Sequence, residues 1–183
     1  MNLHRLVAQP LTAGTFAPYG LTVAQPPGAP TWGASGSRVE GVVEGRDAAG
    51  APVASLWALG DLSFDGDVPY LGFVRYQHQG FRVAQLERHP SETQTWLAVE
   101  GVSFVVVAVG NGAPAPEDAA AFLVAPGQLL AIGRGVWMCH FFPVGPEATF
   151  GVITARREPE QDRDLVDLRA TAGTILQIVL AGD

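Results

Sequence analysis

The pattern of turn residues constrains the fold of this chain more than any other feature. Glycine occurs 22 times and proline 14 times among the 183 residues, without a repeating period. From residue 38 onward these residues separate short runs that are rich in β-branched and aromatic side chains, as is typical of strands joined by turns. A helical bundle would need longer uninterrupted segments, so the sequence favours an all-β fold.

Apolar residues make up 48% of the chain, which is enough for a substantial core in a single domain over residues 1–183. Short strands at this spacing predict an antiparallel sandwich or barrel with a few short helices. Two further short strands are expected within residues 3–24. The other predicted strands lie near residues 38–44, 52–58, 70–77, 80–88, 94–99, 102–109, 121–125, 128–132, 137–142, 148–155 and 174–180.

Three segments are expected to differ from strands. Thr12 can cap a short helical turn, because a threonine hydroxyl accepts a hydrogen bond from the free N–H groups of the first turn. Residues 25–37 have the composition of a loop, which is either a long connection or a mobile lid. Residues 158–168 are highly charged and predict a short helix, with Asp162 and Asp164 near its start.

The charge distribution limits the classes of partner. The formal net charge is −7, and the 11 basic residues are all arginines scattered along the chain. A nucleic-acid groove needs a continuous basic surface to replace counterions, so this pattern argues against nucleic-acid binding. An acidic protein can still bind a small anion through a few arginines focused in a pocket.

The single cysteine and the lack of long apolar segments bear on location. Cys139 has no second cysteine with which to form an internal disulfide, so nothing indicates an oxidising compartment. The longest apolar stretch, residues 102–109, is far too short to span a bilayer. The first residues lack the uninterrupted apolar core of a signal peptide. We therefore expect a cytoplasmic protein without a membrane anchor, in which Cys139 fills apolar space.

Residues 85–101, QLERHPSETQTWLAVEG, carry the most chemical information. Side chains alternate along a strand, so Glu87 and His89 are expected to point to one side. A proline then ends the run, and Gln94 and Trp96 begin the next strand with their side chains toward the same interior. The sequence therefore predicts that a carboxylate, an imidazole and an amide converge.

This predicted group permits two interpretations. A carboxylate, an imidazole and an amide in one pocket form a set suited to acid/base chemistry and to hydrogen bonding of a substrate. Alternatively, the segment is a hydrogen-bonded strand end in which Glu87 only orients His89. Arg88 lies on the opposite face and is expected to form a structural pair.

The spacing resembles the first motif of the cupin superfamily, which has a His-x-His pair followed by a Glu. Here Glu87-x-His89 and Gln94 keep the spacing with two residue types changed. The second cupin motif ends on a further His, and Met138 stands at that position. His140 follows two residues later, on the same face of the predicted strand.

Within that superfamily, the chain resembles the ureidoglycolate lyases most closely. The most specific similar segment is LERHP at residues 86–90, followed by TQ at 93–94. Weaker similarities follow in the expected order from residue 11 to about 168. They are LTAGTFAPYG at 11–20, RYQ at 75–77, GVSFVVVA at 101–108, Gln128 and RGVW at 134–137.

The chain also departs from the family pattern, so it is identified as a divergent member. Leu21 stands where the family usually has Asp after Tyr-Gly. The family usually has Val-Trp-His-His-Pro where this chain has Val-Trp followed by Met138, Cys139 and His140. Two imidazoles are absent from these positions, and His140 supplies one imidazole nearby.

The resemblance implies both a fold and a reaction. The fold is a cupin-like antiparallel β-barrel, also called a double-stranded β-helix or jelly roll, in a homodimer. The reaction is the cleavage of ureidoglycolate to glyoxylate and urea in allantoin (purine) catabolism. A base must take the hydroxyl proton, an acid must protonate the departing nitrogen, and a cation must hold the carboxylate.

The roles that the resemblance implies fall on five polar residues. His89 is the expected base with Glu87 as its partner, Arg75 holds the carboxylate, Gln94 recognises the ureido group, and His140 is the expected acid.

Two tryptophans are also candidates for substrate contact. Trp96 and Trp137 are expected to line the pocket, although aromatic side chains on strands more often belong to the core.

A bound metal is the main open alternative on cofactors. Glu87, His89, Gln94 and Met138 make a poor ligand set for a divalent ion, because amides and thioethers bind such ions weakly. If a metal binds, the expected ligands are Glu87, His89 and His140. We otherwise expect no cofactor.

Two rival functions stay open beside the lyase. One is a metal-dependent cupin enzyme that acts on another small hydroxy or keto acid. The other is a non-catalytic cupin that binds a small carboxylate, which the loss of two imidazoles favours.

Overall fold

The computed structural model describes residues 1–23, 43–46, 52–56, 62, 64, 68–155 and 162–180. The loop predicted at 25–37 and the first part of the helix predicted at 158–168 lie outside the described residues. Strands dominate the described residues, and the helices among them are short. The predicted all-β class with a few short helices is therefore confirmed.

The elements follow in chain order. The strands are β1 (Asn2–Val7), β2 (Gln9–Pro10), β3 (Gly20–Val23), β4 (Val43–Arg46), β5 (Pro52–Leu56), β6 (Pro69–Gln77), β7 (Arg82–Val83), β8 (Gln85–Arg88), β9 (Gln94–Glu100), β10 (Ser103–Ala108), β11 (Ala119–Val124), β12 (Leu129–Ile132), β13 (Trp137–Met138), β14 (Phe142–Pro143), β15 (Glu147–Ala155), β16 (Asp164–Asp167) and β17 (Thr174–Val179). The helices are α1 (Ala13–Phe16), α2 (Leu168–Ala172) and a 3₁₀ turn at Pro116–Asp118.

The described strands form three larger sheets and one separate hairpin, β4–β5. The seven-stranded sheet has the order β16-β8-β13-β10-β11-β2, with β14 also paired to β10. The five-stranded sheet has the order β3-β12-β9-β15-β6, and the three-stranded sheet the order β1-β17-β7. Neighbours are antiparallel except for β1–β17 and β2–β11. The described strands thus form facing sheets that are not closed into one barrel.

The seven-stranded sheet is the middle layer, because every residue of β10 is buried. Side chains alternate along this strand, so Val105 and Val107 face one core and Phe104 and Val106 face another. The uninterrupted apolar run in this segment is what a strand covered on both faces requires.

The two cores lie on opposite faces of that sheet. The first core, shared with the five-stranded sheet, contains Leu11, Phe16, Trp96, Ala98, Val105, Val107, Phe122, Val124, Leu130, Ile132, Met138, Phe141, Ala148, Phe150 and Val152. The second core, shared with the three-stranded sheet, contains Leu6, Val83, Leu86, Phe104, Val106, Ala108, Ala121, Trp137, Cys139, Phe142, Val166, Leu168, Leu176 and Ile178.

The short helix predicted after Thr12 is confirmed as α1. The Thr12 hydroxyl accepts from the Thr15 N–H at 3.1 Å, and the Thr15 hydroxyl accepts from the Thr12 N–H at 3.2 Å. This reciprocal cap fixes the first turn and directs Phe16 into the first core, where it meets Phe122 edge to face. Among the described residues, no helix is long and apolar enough to cross a membrane.

The helix predicted at 158–168 is wrong for its described part. Asp164–Asp167 is a strand, β16, that pairs with β8 at the edge of the seven-stranded sheet. Val166 is buried while Leu165 is exposed, so the segment follows strand alternation once it meets β8. Helix α2 begins only afterwards, where the Asp167 carboxylate accepts from the Arg169 N–H.

The strand predicted at 137–142 is divided into β13 and β14, with an irregular step between them. Met138 and Phe141 face the first core, whereas Trp137 and Phe142 face the second. Cys139 is buried in the second core, and burial raises the pKa of its thiol to about 12. Such a thiol stays protonated, which agrees with its predicted role as apolar filling.

Candidate active site

A cavity of about 430 Å³ opens at one end of the first core, between the five-stranded and the seven-stranded sheets. Strands β6, β9 and β15 contribute to one wall, and β8 and β13 contribute to the other. The lining residues are Tyr70, Tyr76, Glu87, His89, Glu92, Gln94, Trp96, Met138, His140, Thr154, Ala155, Asp162 and Arg163. A few polar groups that converge on an apolar wall are typical of a small-molecule site.

The apolar wall of the cavity is made of packed aromatic rings. The Trp96 and Phe141 rings lie 5.2 Å apart edge to face, and Phe141 stacks on Phe150 at 3.9 Å. Tyr76 contacts Trp96, with ring centroids 6.4 Å apart. Trp96 and Gln94 are two residues apart on β9, so both line the cavity as the sequence predicts.

Glu92 is the most buried charged group of the cavity, with 5% of its side chain exposed. The Thr154 hydroxyl lies 2.9 Å from each of its oxygens, and the Ala155 N–H also donates to it. The Gln94 amide donates to Oε1 at 3.3 Å. A buried carboxylate needs such donors, and here they also fix its position.

His89 lies against this carboxylate. Its Nδ1 is 3.3 Å from Glu92 Oε1, and 15% of its side chain is exposed toward the cavity. The Asp162 carboxylate is the next group, since ligand atoms of His89, Glu92 and Asp162 all lie within 4.8 Å of one another. The expected partner was Glu87, but Glu92 is the carboxylate that the structure places at ion-pair distance from His89.

Glu87 faces the cavity from β8 and pairs with an arginine. Its Oε2 lies 3.5 Å from Arg163 Nη1, with 29% and 32% of the two side chains exposed. Arg163 precedes β16, which pairs with β8 and so carries the guanidinium to the mouth of the cavity. An arginine here can form a two-pronged contact with a small carboxylate.

Tyr76 and His140 form the remaining polar part of the wall. Their rings stack with centroids 6.1 Å apart, and His140 also lies 4.5 Å from Phe142. Burial raises the pKa of Tyr76 above its ordinary value, with a smaller contribution from Glu87, so its hydroxyl stays protonated. Loss of hydration lowers the pKa of His140, partly opposed by Glu87, so its ring is neutral at pH 7.

Two predicted substrate contacts lie elsewhere. Arg75 projects from the outer face of β6, where it contacts Glu147 at 3.5 Å and Thr149 at 3.3 Å. Trp137 is buried in the second core. Strand alternation explains both placements: each residue is followed by one that faces the cavity, so its own side chain points away.

Comparison with known proteins identifies the family. A family model described as ureidoglycolate lyase matches residues 3–175. The chain belongs to this family. A ureidoglycolate lyase of Rhodobacter capsulatus is 31% identical over 154 residues, covering 82% of this chain and 86% of that protein. A ureidoglycolate lyase of Mesorhizobium japonicum is 28% identical over 149 residues, covering 81% and 85%.

A solved structure of a dTDP sugar isomerase from Desulfovibrio desulfuricans is also similar. It matches with a TM-score of 0.46 and 20% sequence identity, covering 75% of this chain and 87% of that chain.

In this member of the ureidoglycolate lyase family, several cavity residues were absent from the sequence-based candidates. They are Tyr70, Tyr76, Glu92, Thr154, Asp162 and Arg163. Glu92 lies within the segment singled out from the sequence, so its charge was a usable signal. Arg163 was not among the candidates because a helix was expected in that segment. The pairing of β16 with β8 brings it to the cavity instead.

The residues at the cupin ligand spacing do not fit a divalent metal. The Gln94 amide donates to Glu92, and the Met138 thioether is a weak ligand for such ions. The alternative set of Glu87, His89 and His140 is also not formed. Among the described residues, the ligand atoms that lie within 4.8 Å of one another belong to His89, Glu92 and Asp162.

Proposed function

We propose that this chain is a lyase that cleaves ureidoglycolate to glyoxylate and urea in the breakdown of allantoin and purine nitrogen. The observation that carries this proposal is the family match over residues 3–175. The cavity supports it chemically, because it combines an imidazole, carboxylates and an arginine in a volume suited to a small acid.

His89 carries the proton in the proposed mechanism. Ureidoglycolate has a hydroxyl group and a ureido nitrogen on the same carbon. His89 takes the hydroxyl proton, the C–O bond becomes a carbonyl, and the carbon–nitrogen pair of electrons moves to nitrogen. The imidazolium then returns the proton to that nitrogen, so glyoxylate and urea leave without consumption of water. The nearby Glu92 and Asp162 carboxylates stabilise the transient imidazolium.

His140 has a different role in this scheme from the acid that the sequence suggested. Its lowered pKa favours the neutral ring at pH 7, which suits a hydrogen bond better than proton donation. The protonated Tyr76 hydroxyl beside it supplies a second donor. Gln94 and Trp96 contact the ureido end of the substrate, from β9.

Arg163 replaces Arg75 as the proposed carboxylate-binding residue. Its guanidinium lines the cavity, and its contact with Glu87 holds it there before substrate binds. A substrate carboxylate then competes with Glu87 for the same N–H groups, which gives two parallel charge-assisted hydrogen bonds.

A metal-dependent reaction on a small hydroxy or keto acid is a second candidate function. The observation that favours it is the cluster of His89, Glu92 and Asp162 ligand atoms within 4.8 Å of one another. One imidazole with two carboxylates is an acceptable ligand set for a divalent ion. Stoichiometric metal in the purified protein, with activity lost on chelation and restored by that metal, would favour this candidate.

The direct test uses purified, metal-analysed protein with racemic ureidoglycolate. We expect glyoxylate and urea to form in equal amounts above the spontaneous rate. The rate should fall by about 10²–10⁴-fold in His89→Ala, as is typical for loss of an acid/base group. His78→Ala is the matched control, because His78 contacts Pro143 and Phe81 away from the cavity.

Other outcomes of the same test separate the rivals. Tight binding of a small carboxylate without turnover would support a non-catalytic binding protein. No acceleration, with metal absent or restored, would remove the lyase assignment.

The homodimer and the cytoplasmic location also belong to this proposal. The outer face of the five-stranded sheet carries exposed apolar residues, with Leu71 at 72%, Phe73 at 75% and Leu97 at 44% exposure. Phe73 and Leu97 flank Gly151 in adjacent strands, so they form a contiguous patch suited to a second copy. Light scattering should show a dimer that Phe73→Asp dissociates, whereas Val7→Asp on β1 does not. The buried, unpaired Cys139 suits a reducing compartment.

A further inference from the structure

We infer that Glu92 is the positioning residue of His89, which it holds with Nδ1 toward the buried carboxylate and Nε2 toward the substrate. The inference rests on the proposed function for its catalytic meaning. The contacts of Glu92 decide which ring nitrogen of His89 carries the proton. This can be tested without measuring turnover.

The first step is the rigidity of Glu92. Its carboxylate receives hydrogen bonds from the Thr154 hydroxyl, the Ala155 N–H and the Gln94 amide. These donors belong to two adjacent strands of the five-stranded sheet, β9 and β15. A carboxylate held from two strands has little freedom to rotate, so it offers His89 an acceptor in a fixed place.

The charge of Glu92 also links it to His89. Glu92 is buried, and the three groups that donate to it are neutral. His89, at 3.3 Å, is the ionisable group that the structure places directly against it. A buried carboxylate needs hydrogen-bond donors, and the N–H at Nδ1 of His89 adds one to the three neutral groups. Glu92 thereby acts on the reaction through His89.

The third step is the loop that joins the two residues. His89 and Glu92 are three residues apart, and Pro90 turns the chain between them. The His89 carbonyl accepts from the Gly135 N–H at 2.9 Å, and the Pro90 carbonyl accepts from Arg134 Nε at 3.3 Å. The backbone of this loop is thus held by the turn between β12 and β13, while the Glu92 side chain is held by β9 and β15.

The fourth step is the tautomer. A neutral imidazole carries one proton, and a carboxylate beside Nδ1 stabilises the tautomer with the proton on that nitrogen. Nε2 then keeps its lone pair, and this is the atom that can accept the substrate proton. His89 lines the cavity, and Nε2 is its ring nitrogen on the edge opposite Glu92.

Two neighbouring carboxylates provide matched comparisons. Asp162 also lies near His89, but it is only half-buried and accepts from the Ser91 N–H at 3.4 Å. Glu87 faces the same cavity but pairs with Arg163. If proximity of any carboxylate were sufficient, Asp162→Asn and Glu87→Gln would resemble Glu92→Gln.

The deciding measurement is ¹⁵N–¹H correlation of the histidine rings in full-length protein labelled at histidine. His89 is assigned from the signals missing in His89→Gln. At a pH where the ring is neutral, we expect the wild-type His89 signals to show Nδ1 protonated and Nε2 unprotonated. Glu92→Gln should give a mixture of tautomers, whereas Asp162→Asn and Glu87→Gln should leave the wild-type pattern.

Kinetics add the second readout. Glu92→Gln should lower kcat by about 10–100-fold, the usual range for residues that orient a functional group, with KM little changed. Glu92→Asp should recover part of kcat. Thr154→Val, which removes one donor to Glu92, should give a smaller loss and stays informative if Glu92→Gln does not fold.

The outcomes distinguish this inference from the proposed function. Nε2 protonation in wild type, or an unchanged tautomer in Glu92→Gln, overturns the inference even if ureidoglycolate is cleaved. A wild-type tautomer that depends on Glu92 supports it even if the substrate is a different small acid. Stoichiometric binding of Mn²⁺ or Zn²⁺ that shifts or broadens the His89 ring signals, and is lost in Glu92→Gln, overturns it in favour of a metal site.

Discussion

The two cores, on opposite faces of the seven-stranded sheet, are packed from similar side chains but end differently. At the edge of the second core, Arg88 lies 4.7 Å above the Trp137 ring and pairs with Asp164 at 2.7 Å. The Trp137 N–H donates to the Gly112 carbonyl at 2.9 Å. At the end of the first core, Arg163 and Glu87 pair beside an open cavity.

This difference shows what separates a structural cluster from a candidate site. Both regions have an arginine, a carboxylate and a tryptophan. In the second core the cation covers the aromatic ring and pairs with Asp164, beside a wide, open groove of about 530 Å³ on the surface. In the first core the same types of group surround a more enclosed cavity, where they can converge on a small polar molecule. The following predictions test this contrast.

The largest expected effect comes from matched deletions of one phenylalanine in each core. Phe104 and Phe150 are almost completely buried, so Phe104→Ala and Phe150→Ala should each lower the free energy of unfolding by about 3–5 kcal/mol. Kinetics should change only in Phe150→Ala, because Phe150 packs against Trp96, which lines the cavity. Denaturant unfolding and steady-state kinetics measure both. Equal kinetic losses in the two variants would remove the contrast.

The next effect compares two arginines with similar ion pairs. Arg163 and Arg75 each lie 3.5 Å from a glutamate, but only Arg163 lines the cavity. Loss of a charge-assisted contact is worth about 1.5–3 kcal/mol, so Arg163→Met should raise KM by roughly 10–100-fold. Arg75→Met should keep the wild-type KM in the same assay. The reverse result would restore the carboxylate role first expected for Arg75.

The fold was predictable where the information is local. The apolar run predicts β10 and the Thr12 cap predicts α1, each from a few neighbouring residues. Strand β16 was not predictable in this way, because its extended form comes from pairing with β8, far away in the sequence. The charged composition of this segment alone favoured a helix, but pairing with β8 makes it a strand.

The candidate site was predictable to a similar degree. Alternation correctly brought Glu87, His89, Gln94 and Trp96 to one cavity. The family resemblance pointed to an arginine, Arg75, as the carboxylate-binding residue. Because Tyr76 faces the cavity, strand alternation directs the Arg75 side chain away from it.

The remaining site residues depend on three-dimensional contacts. Glu92 reaches His89 through a loop whose backbone accepts hydrogen bonds from Arg134 and Gly135, far away in the sequence, so the spacing of residues within the loop does not predict this contact.

A smaller effect is expected at the cover of the second core. Arg88→Met removes a cation–π contact and a partly buried ion pair, so it should lower the free energy of unfolding by about 1–2 kcal/mol. Activity should be unchanged, because this side chain points away from the cavity. Arg82→Met, which loses only a contact with Gln177, is the control and should stay within about 0.5 kcal/mol of wild type. A loss of activity in Arg88→Met would mean that the two regions are coupled.

The smallest effect is the pH dependence contributed by His140. Its pKa lies below the ordinary value of 6.5 because the ring, although the residue is exposed, loses part of its hydration against Tyr76 and Phe142. The unfolded chain therefore takes up a proton near pH 6.5 while the folded chain does not, so stability is full above that pH and falls as the solution becomes more acidic. In His140→Gln, this part of the acid-side loss should disappear from denaturant midpoints measured across the same pH range.

Two variants that should shift the pKa of His140 in opposite directions test the cause of its lowered value. Tyr76→Ala removes a ring that stacks on His140 and so exposes more of His140 to water, and the midpoint of its proton NMR titration should rise toward 6.5. Glu87→Gln removes the charge that favours the imidazolium, so the midpoint should fall further. Both variants act at the mouth of the first core, while the ring of Phe142, from the second core, lies 4.5 Å from His140. A wild-type midpoint above 6.5 would mean that the Glu87 charge outweighs desolvation. His140 would then be protonated often enough near neutral pH to serve as the acid that the sequence first suggested.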